Sequence, residues 1–176
     1  MTGTLITVVQ GDIVRQPDCD GVVNAANASL MAGSGVCGAI HAAAGPRLEP
    51  YARRFAPLRV GDALATPGFD LAGCRLIIHA VGPRYFDDPD PPIHLARAMH
   101  SALDLADRNQ LQRLAVPALS TGVYRYPPEA AVPILVESAF VTAPTLNHLR
   151  EIRFVVPGET MLALFRDAIA GQSASR

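Results

Sequence analysis

Apolar and polar positions along the chain alternate between two rhythms. Leu5 to Gln10 is an apolar, β-branched run closed by Gly11-Asp12, which predicts a strand ending in a turn. Val22-Val23 reads as the end of a buried strand. Val60 to Pro67, Leu76 to Val81, Leu114 to Pro117 and Ile152 to Val156 read as further strands. Between them the period lengthens. Leu95, Met99, Ala102, Leu103 and Ala106 recur at helical spacing, so His94 to Asn109 is predicted as an amphipathic helix with Met99 in the core. Ala39 to Ala44, Pro46 to Phe55, Pro128 to Val141 and Met161 to Ile169 also read as helices. Strands alternate with helices apart from an early pair and one hairpin. The expected fold class is α/β, a three-layer α/β/α arrangement with a mixed, mostly parallel central sheet flanked by helices. Asp87 to Pro92 (DDPDPP) reads as an exposed or mobile insertion, and the arginines at 47, 53 and 54 as a solvated face. There is no internal repeat.

A length of 176 residues predicts one domain, 1–176, with its core over about residues 4–170 and a short C-terminal tail. The chain is 49% apolar and only 6% aromatic, the excess being largely alanine and valine, which suits helices packed closely on a sheet. A net charge of −1 lacks the basic footprint of a general nucleic-acid binder. All fifteen basic residues are arginine. The absence of lysine excludes P-loop chemistry and Schiff bases, so a phosphate must be held by backbone, hydroxyls or arginine. Three cysteines, Cys19, Cys37 and Cys74, form no secreted disulfide framework. With no basic-flanked leader and no run long enough to span a membrane, the expectation is a cytoplasmic monomer.

The chemistry is concentrated between Val22 and Gly45. Gly33, Gly35 and Gly38 fall where a helix is expected to begin, so the backbone there can approach a ligand and the helix N-terminus can receive an anion, phosphate above all. Asn24 and Asn27 offer amides to sugar hydroxyls, although Asn24 suits a loop brace equally well. The glycines fit G-x-G-x-x-G, but about ten residues separate them from the strand, where a dinucleotide fingerprint follows its strand at once. A nicotinamide-dependent oxidoreductase is therefore a weak alternative. A second polar loop, Ser120-Thr121-Gly122-Val123-Tyr124, follows the strand at Leu114. Asp12 reads as a turn residue, His79 as a hydrogen-bonded core histidine, and Cys37 with His41 as too few ligands for a metal.

Asn24-Ala25-Ala26-Asn27, Val36-Cys37-Gly38-Ala39-Ile40-His41 and Ser120 to Tyr124 together resemble macrodomains of the MacroD type. Gly11-Asp12-Ile13 and Ile78-His79-Ala80-Val81-Gly82-Pro83 extend the likeness over nearly the whole chain. The resemblance implies a macrodomain fold that takes ADP-ribose, ADP-ribosylated proteins or O-acetyl-ADP-ribose, with no cofactor. It places Asp12 and Ile13 at the adenine and Asn24, Gly33, Ser34, Gly35, Val36, Gly38, Ala39 and Ile40 along one side of the ligand. Ser120, Thr121, Gly122, Val123 and Tyr124 then lie along the other, Tyr124 against the distal ribose, and Asn27 serves hydrolysis there. The chain departs from that pattern at Cys37, where MacroD-type hydrolases usually carry aspartate. A thiol there is a poor acid or base, which sets a non-catalytic ADP-ribose reader beside the hydrolase as an alternative. Ser34 interrupts the glycine run, Arg125 replaces a glycine, and Pro157-Gly158 stands where many relatives present an aromatic to the base.

Overall fold

In the computed structural model, which describes residues 3–175, six strands form one sheet in the order β1-β6-β5-β2-β4-β3. They are β1 (Leu5–Gln10), β2 (Gly21–Ala25), β3 (Ala63–Pro67), β4 (Leu76–Ala80), β5 (Arg113–Val116) and β6 (Glu151–Val156). Every pairing is parallel except β3 with β4, the expected hairpin at one edge. The helices are α1 (Gly35–Ala44), α2 (Leu48–Arg53), α3 (Pro91–Arg108), α4 (Pro128–Thr142) and α5 (Glu159–Ala174), with a single 3-10 turn at Ala143–Thr145.

Successive strand side chains face opposite ways, and the core divides accordingly. Val23, Ile78, Leu114, Val116, Ile152 and Phe154 pack on α3, α4 and α5, where the Phe154 and Phe165 rings lie 4.6 Å apart. Val22, Ile77, Ala115 and Val155 turn to the other face, against Ile40, Ala44 and Leu48 and against Ile13 and Cys19 of the segment joining β1 to β2. The expected three-layer arrangement is present. α1 therefore leaves β2 towards one face and α4 leaves the adjacent β5 towards the other. The crevice between the carboxyl ends of those two strands is the switch point at which open α/β sheets bind ligands.

Boundaries differ from expectation where first-turn chemistry decides them. α1 starts at Gly35 rather than Ala39, and its first bond runs from the Gly38 N–H to the Ser34 carbonyl. First-turn N–H groups have no intrahelical acceptor, which leaves weak helix formers little to spoil. Pro91-Pro92 likewise forms the first turn of α3 instead of loop, because a missing N–H is harmless there. The loop before it is tied down: the Asp90 N–H donates to Asp88 Oδ1 at 2.8 Å, and the same oxygen lies 2.6 Å from His94 Nδ1. α5 runs to Ala174, beyond the expected tail boundary.

A buried polar row crosses the sheet beneath α1. The Asn24 amide meets His79 Nδ1 at 3.1 Å, and His79 Nε2 meets Thr66 Oγ1 at 2.9 Å; Asn24 and His79 are wholly buried. With the amide donating, His79 carries its proton on Nε2 and is the core histidine expected. Burial, followed by the neighbouring His41, pushes its pKa down to about 3. The unfolded histidine titrates near 6.5, so the unfolded chain takes up the extra proton: stability is full above about pH 6.5 and declines towards pH 3, by roughly 1.4 kcal/mol per pH unit. His79→Gln, followed by urea denaturation between pH 7 and 4.5, is expected to remove about that much slope; an unchanged slope would show that another group governs it.

Candidate functional site

Because β1, β6, β5, β2 and β4 are parallel, their carboxyl ends share one edge, and the Asp12 segment and both candidate loops emerge there. The first loop is built on Asn27. Its Oδ1 accepts from the Met31 N–H at 3.0 Å and the Ser29 hydroxyl at 2.9 Å, while Nδ2 donates to the Met31 carbonyl at 2.9 Å. One amide N–H is left over for a ligand. Asn24 has no exposed surface and donates to Cys37 Sγ at 3.8 Å as well as meeting His79, so it braces the loop from below. Ile40, also sealed, belongs to the core rather than to any ligand surface.

The three glycines have separate tasks. Of these only Gly35 has positive φ (57°), with open space where a Cβ would go. At Gly38 a Cβ would sit 2.5 Å from the Gly33 carbonyl oxygen, so the helix start and the loop are in backbone contact. Ser34 precedes the helix in an extended conformation and its hydroxyl caps nothing. Ser34, Gly35 and Ala39 are exposed and Val36 half-buried, so a helix N-terminus with unspent N–H groups opens to solvent.

The second loop closes through the Tyr126 N–H to the Ser120 carbonyl at 2.9 Å. Ser120 and Arg125 are both left-handed, at φ 66° and 59°, a conformation that suits the glycine the resemblance implies at the second position. Among the described residues the N–H groups of Gly122, Val123 and Tyr124 donate to no protein acceptor. The Ser120 hydroxyl is buried against Gly82, where a Cβ would collide with it, without a partner among the described residues, and Thr121 spends its hydroxyl on the Ala118 carbonyl at 2.7 Å. Tyr124 is half-buried. Its phenol pKa is raised, burial outweighing the Arg84 guanidinium that lowers it, and β2 beside β5 sets the two loops next to each other. Arg84, 5.5 Å from the Tyr124 ring centroid, was not singled out by sequence reasoning, and Gly82 was noted only within a motif; the turn after β4 is their common signal.

Cys37 Sγ donates to the Met31 carbonyl at 3.5 Å, and burial raises its pKa against hydrogen bonds from Asn24 and the Gly33 N–H that lower it. It is a neutral thiol at pH 7. Asp12 is exposed and makes the turn read from sequence, accepting from the Val14 N–H at 3.1 Å, with Ile13 buried behind it. The Gly11 N–H donates to the Val156 carbonyl at 2.9 Å, so Pro157-Gly158 emerges next to Asp12. No three His, Cys, Asp or Glu side chains group as metal ligands among the described residues.

The family model for the Macro domain matches residues 23–135, which include both loops. This chain belongs to the macrodomain family. It is 44% identical to a Macro domain-containing protein of Streptomyces coelicolor over 89% of this chain and 92% of that one. An O-acetyl-ADP-ribose deacetylase of Cronobacter turicensis is 40% identical over 92% of this chain and 93% of its own. The solved macrodomain of Oceanobacillus iheyensis with ADP superposes at a TM-score of 0.90, with 32% identity, covering 96% of this chain and 92% of that one.

In this macrodomain the contact between Gly38 and Gly33 has a direct test. Gly38→Ala forces two backbone segments apart and is expected to lower stability by about 1–3 kcal/mol, the range for overpacking. Gly35→Ala, strained but unobstructed, should cost about 1–2 kcal/mol. Thermal denaturation checks both; a Gly38→Ala protein as stable as the parent would mean the contact is not tight.

Proposed function

We propose that this macrodomain binds ADP-ribose across the β2/β5 switch point and hydrolyses its esters, either mono-ADP-ribosyl-protein esters or O-acetyl-ADP-ribose. The observation carrying this reading is the convergence of two sets of unspent backbone N–H groups, at the start of α1 and at 122–124, in a chain without lysine. Such donors suit the two phosphates of a diphosphate. The relatives' named ligands, ADP and O-acetyl-ADP-ribose, agree with it. Asp12 would accept from the adenine amine with Ile13 beneath the ring, and Tyr124 and the spare Asn27 N–H would meet the distal ribose.

For hydrolysis, a water held by Asn27, loop N–H groups and the ligand's own diphosphate adds to the ester carbonyl. The carbon–oxygen bond to the ribose breaks, the ribose oxygen takes a proton from the water, and the acid leaves with the added oxygen. No cofactor is required. Three free cysteines accord with a reducing compartment such as the cytoplasm, and the chain is read as a monomeric single domain.

A second reading is favoured by Cys37: a neutral thiol spent on a carbonyl is no base, which suits a reader that binds without chemistry. ADP-ribose release from an ester-linked mono-ADP-ribosylated protein separates the two. The parent is expected to release slowly, Cys37→Ala to match it, and Cys37→Asp to accelerate release by about a hundredfold, the order supplied by a positioned acid or base. Undiminished ADP-ribose binding with no release by the parent or by Cys37→Asp would establish the reader.

A further inference from the structure

A groove of about 980 Å³ runs between α1 and α2 behind the first loop, and Gly33 is its common wall with the crevice. On one side a Cβ at Gly33 would lie 3.6 Å from Cys37 Sγ and 3.7 Å from Asn27 Nδ2; on the other, Gly33 lines the groove with Gly38, His41, Glu49, Arg53 and Arg54. One wall of the groove holds a polar group that could have been apolar. His41 is 8% exposed, and its Nε2 is buried with no hydrogen-bond partner among the described residues. Burial lowers the His41 pKa, with Glu49 opposing, so the ring is a neutral donor or acceptor rather than a cation.

The charges along it are unequal. Glu49 is occupied, accepting the Ala32 N–H at 3.3 Å and so fixing the loop to α2. The Arg53 side chain is exposed and makes no hydrogen bond or ion pair among the described residues. Arg54 lies over the Tyr51 ring, 4.4 Å from its centroid, and its Nε donates to the Tyr51 carbonyl at 3.3 Å, with no carboxylate partner among the described residues. Arg47, the third arginine of this region, is paired with Asp70 at 2.8 Å.

We infer that this groove receives the polypeptide carrying the ADP-ribose, and that Arg53 and Arg54 select acidic sequence around the modified residue. The inference rests on ADP-ribose occupying the crevice, because Asn27, set at the distal ribose in that reading, adjoins Gly33, and the groove beyond Gly33 then lies next to the attached chain. The exposed Arg53 and Arg54, neither paired with a carboxylate among the described residues, match carboxylates in an extended acidic segment. Exposed ion pairs of this kind are individually weak, so two together are expected to supply roughly tenfold in affinity.

The test is fluorescence anisotropy at low salt, comparing free ADP-ribose with an acidic peptide carrying ADP-ribose through a hydrolysis-resistant link. The full chain is expected to bind the peptide conjugate about tenfold more tightly than ADP-ribose. The Arg53→Glu/Arg54→Glu double variant should lose that advantage, keep the ADP-ribose affinity of the parent and bind a basic conjugate better. Equal affinity of the parent for conjugate and free ADP-ribose, or an equal loss for both in the double variant, overturns the inference while leaving the crevice reading intact. Failure of the parent to bind ADP-ribose at all overturns both.

Discussion

β2 is hydrogen-bonded in parallel to β5 on one side and β4 on the other, and the site depends on that placement. It brings the loops after all three strands out at one edge. Since α1 and α4 then diverge to opposite faces, two helix-leading loops are left facing each other with backbone donors unspent. In a chain with no lysine, those donors are the means available for meeting a diphosphate besides hydroxyls and arginine. The rest of the first loop follows from close packing: Gly38 against the Gly33 carbonyl, and Asn27 closing the turn to Met31.

Much of this was legible in the sequence because the strands and the alanine-rich helices have strong, distinct periods. The parallel sheet, the β3/β4 hairpin, the core role of Met99 and the hydrogen-bonded His79 were all readable from residue pattern. Helix starts were less so. Gly35 and Pro91-Pro92 read as loop because propensity is a property of helix interiors, whereas a first turn tolerates both residues. The direction in which a residue faces was also illegible within the glycine stretch: Ile40 and Asn24 sit in the motif yet are sealed from solvent, and the groove behind Gly33 depends on α2 packing that no local pattern encodes.

The chemistry turns on Cys37. Asn24 and the Gly33 N–H stabilise its charged form, but burial outweighs them and the thiol donates to Met31. The same loop is held on its outer side by Glu49. A rigid loop with a weak acid at its centre is well suited to binding; the rate of any hydrolysis then rests on water ordered by the ligand itself.

The most direct measurement is a titration with ADP-ribose followed by amide resonances in a nitrogen-15-labelled sample. Grip by the two loops is expected to shift residues 33–38 and 122–124 together, with Asp12 and Ile13 moving at the same ligand concentration. Shifts absent from either loop, or confined to the α1/α2 groove, would contradict the placement of the ligand at the β2/β5 switch point.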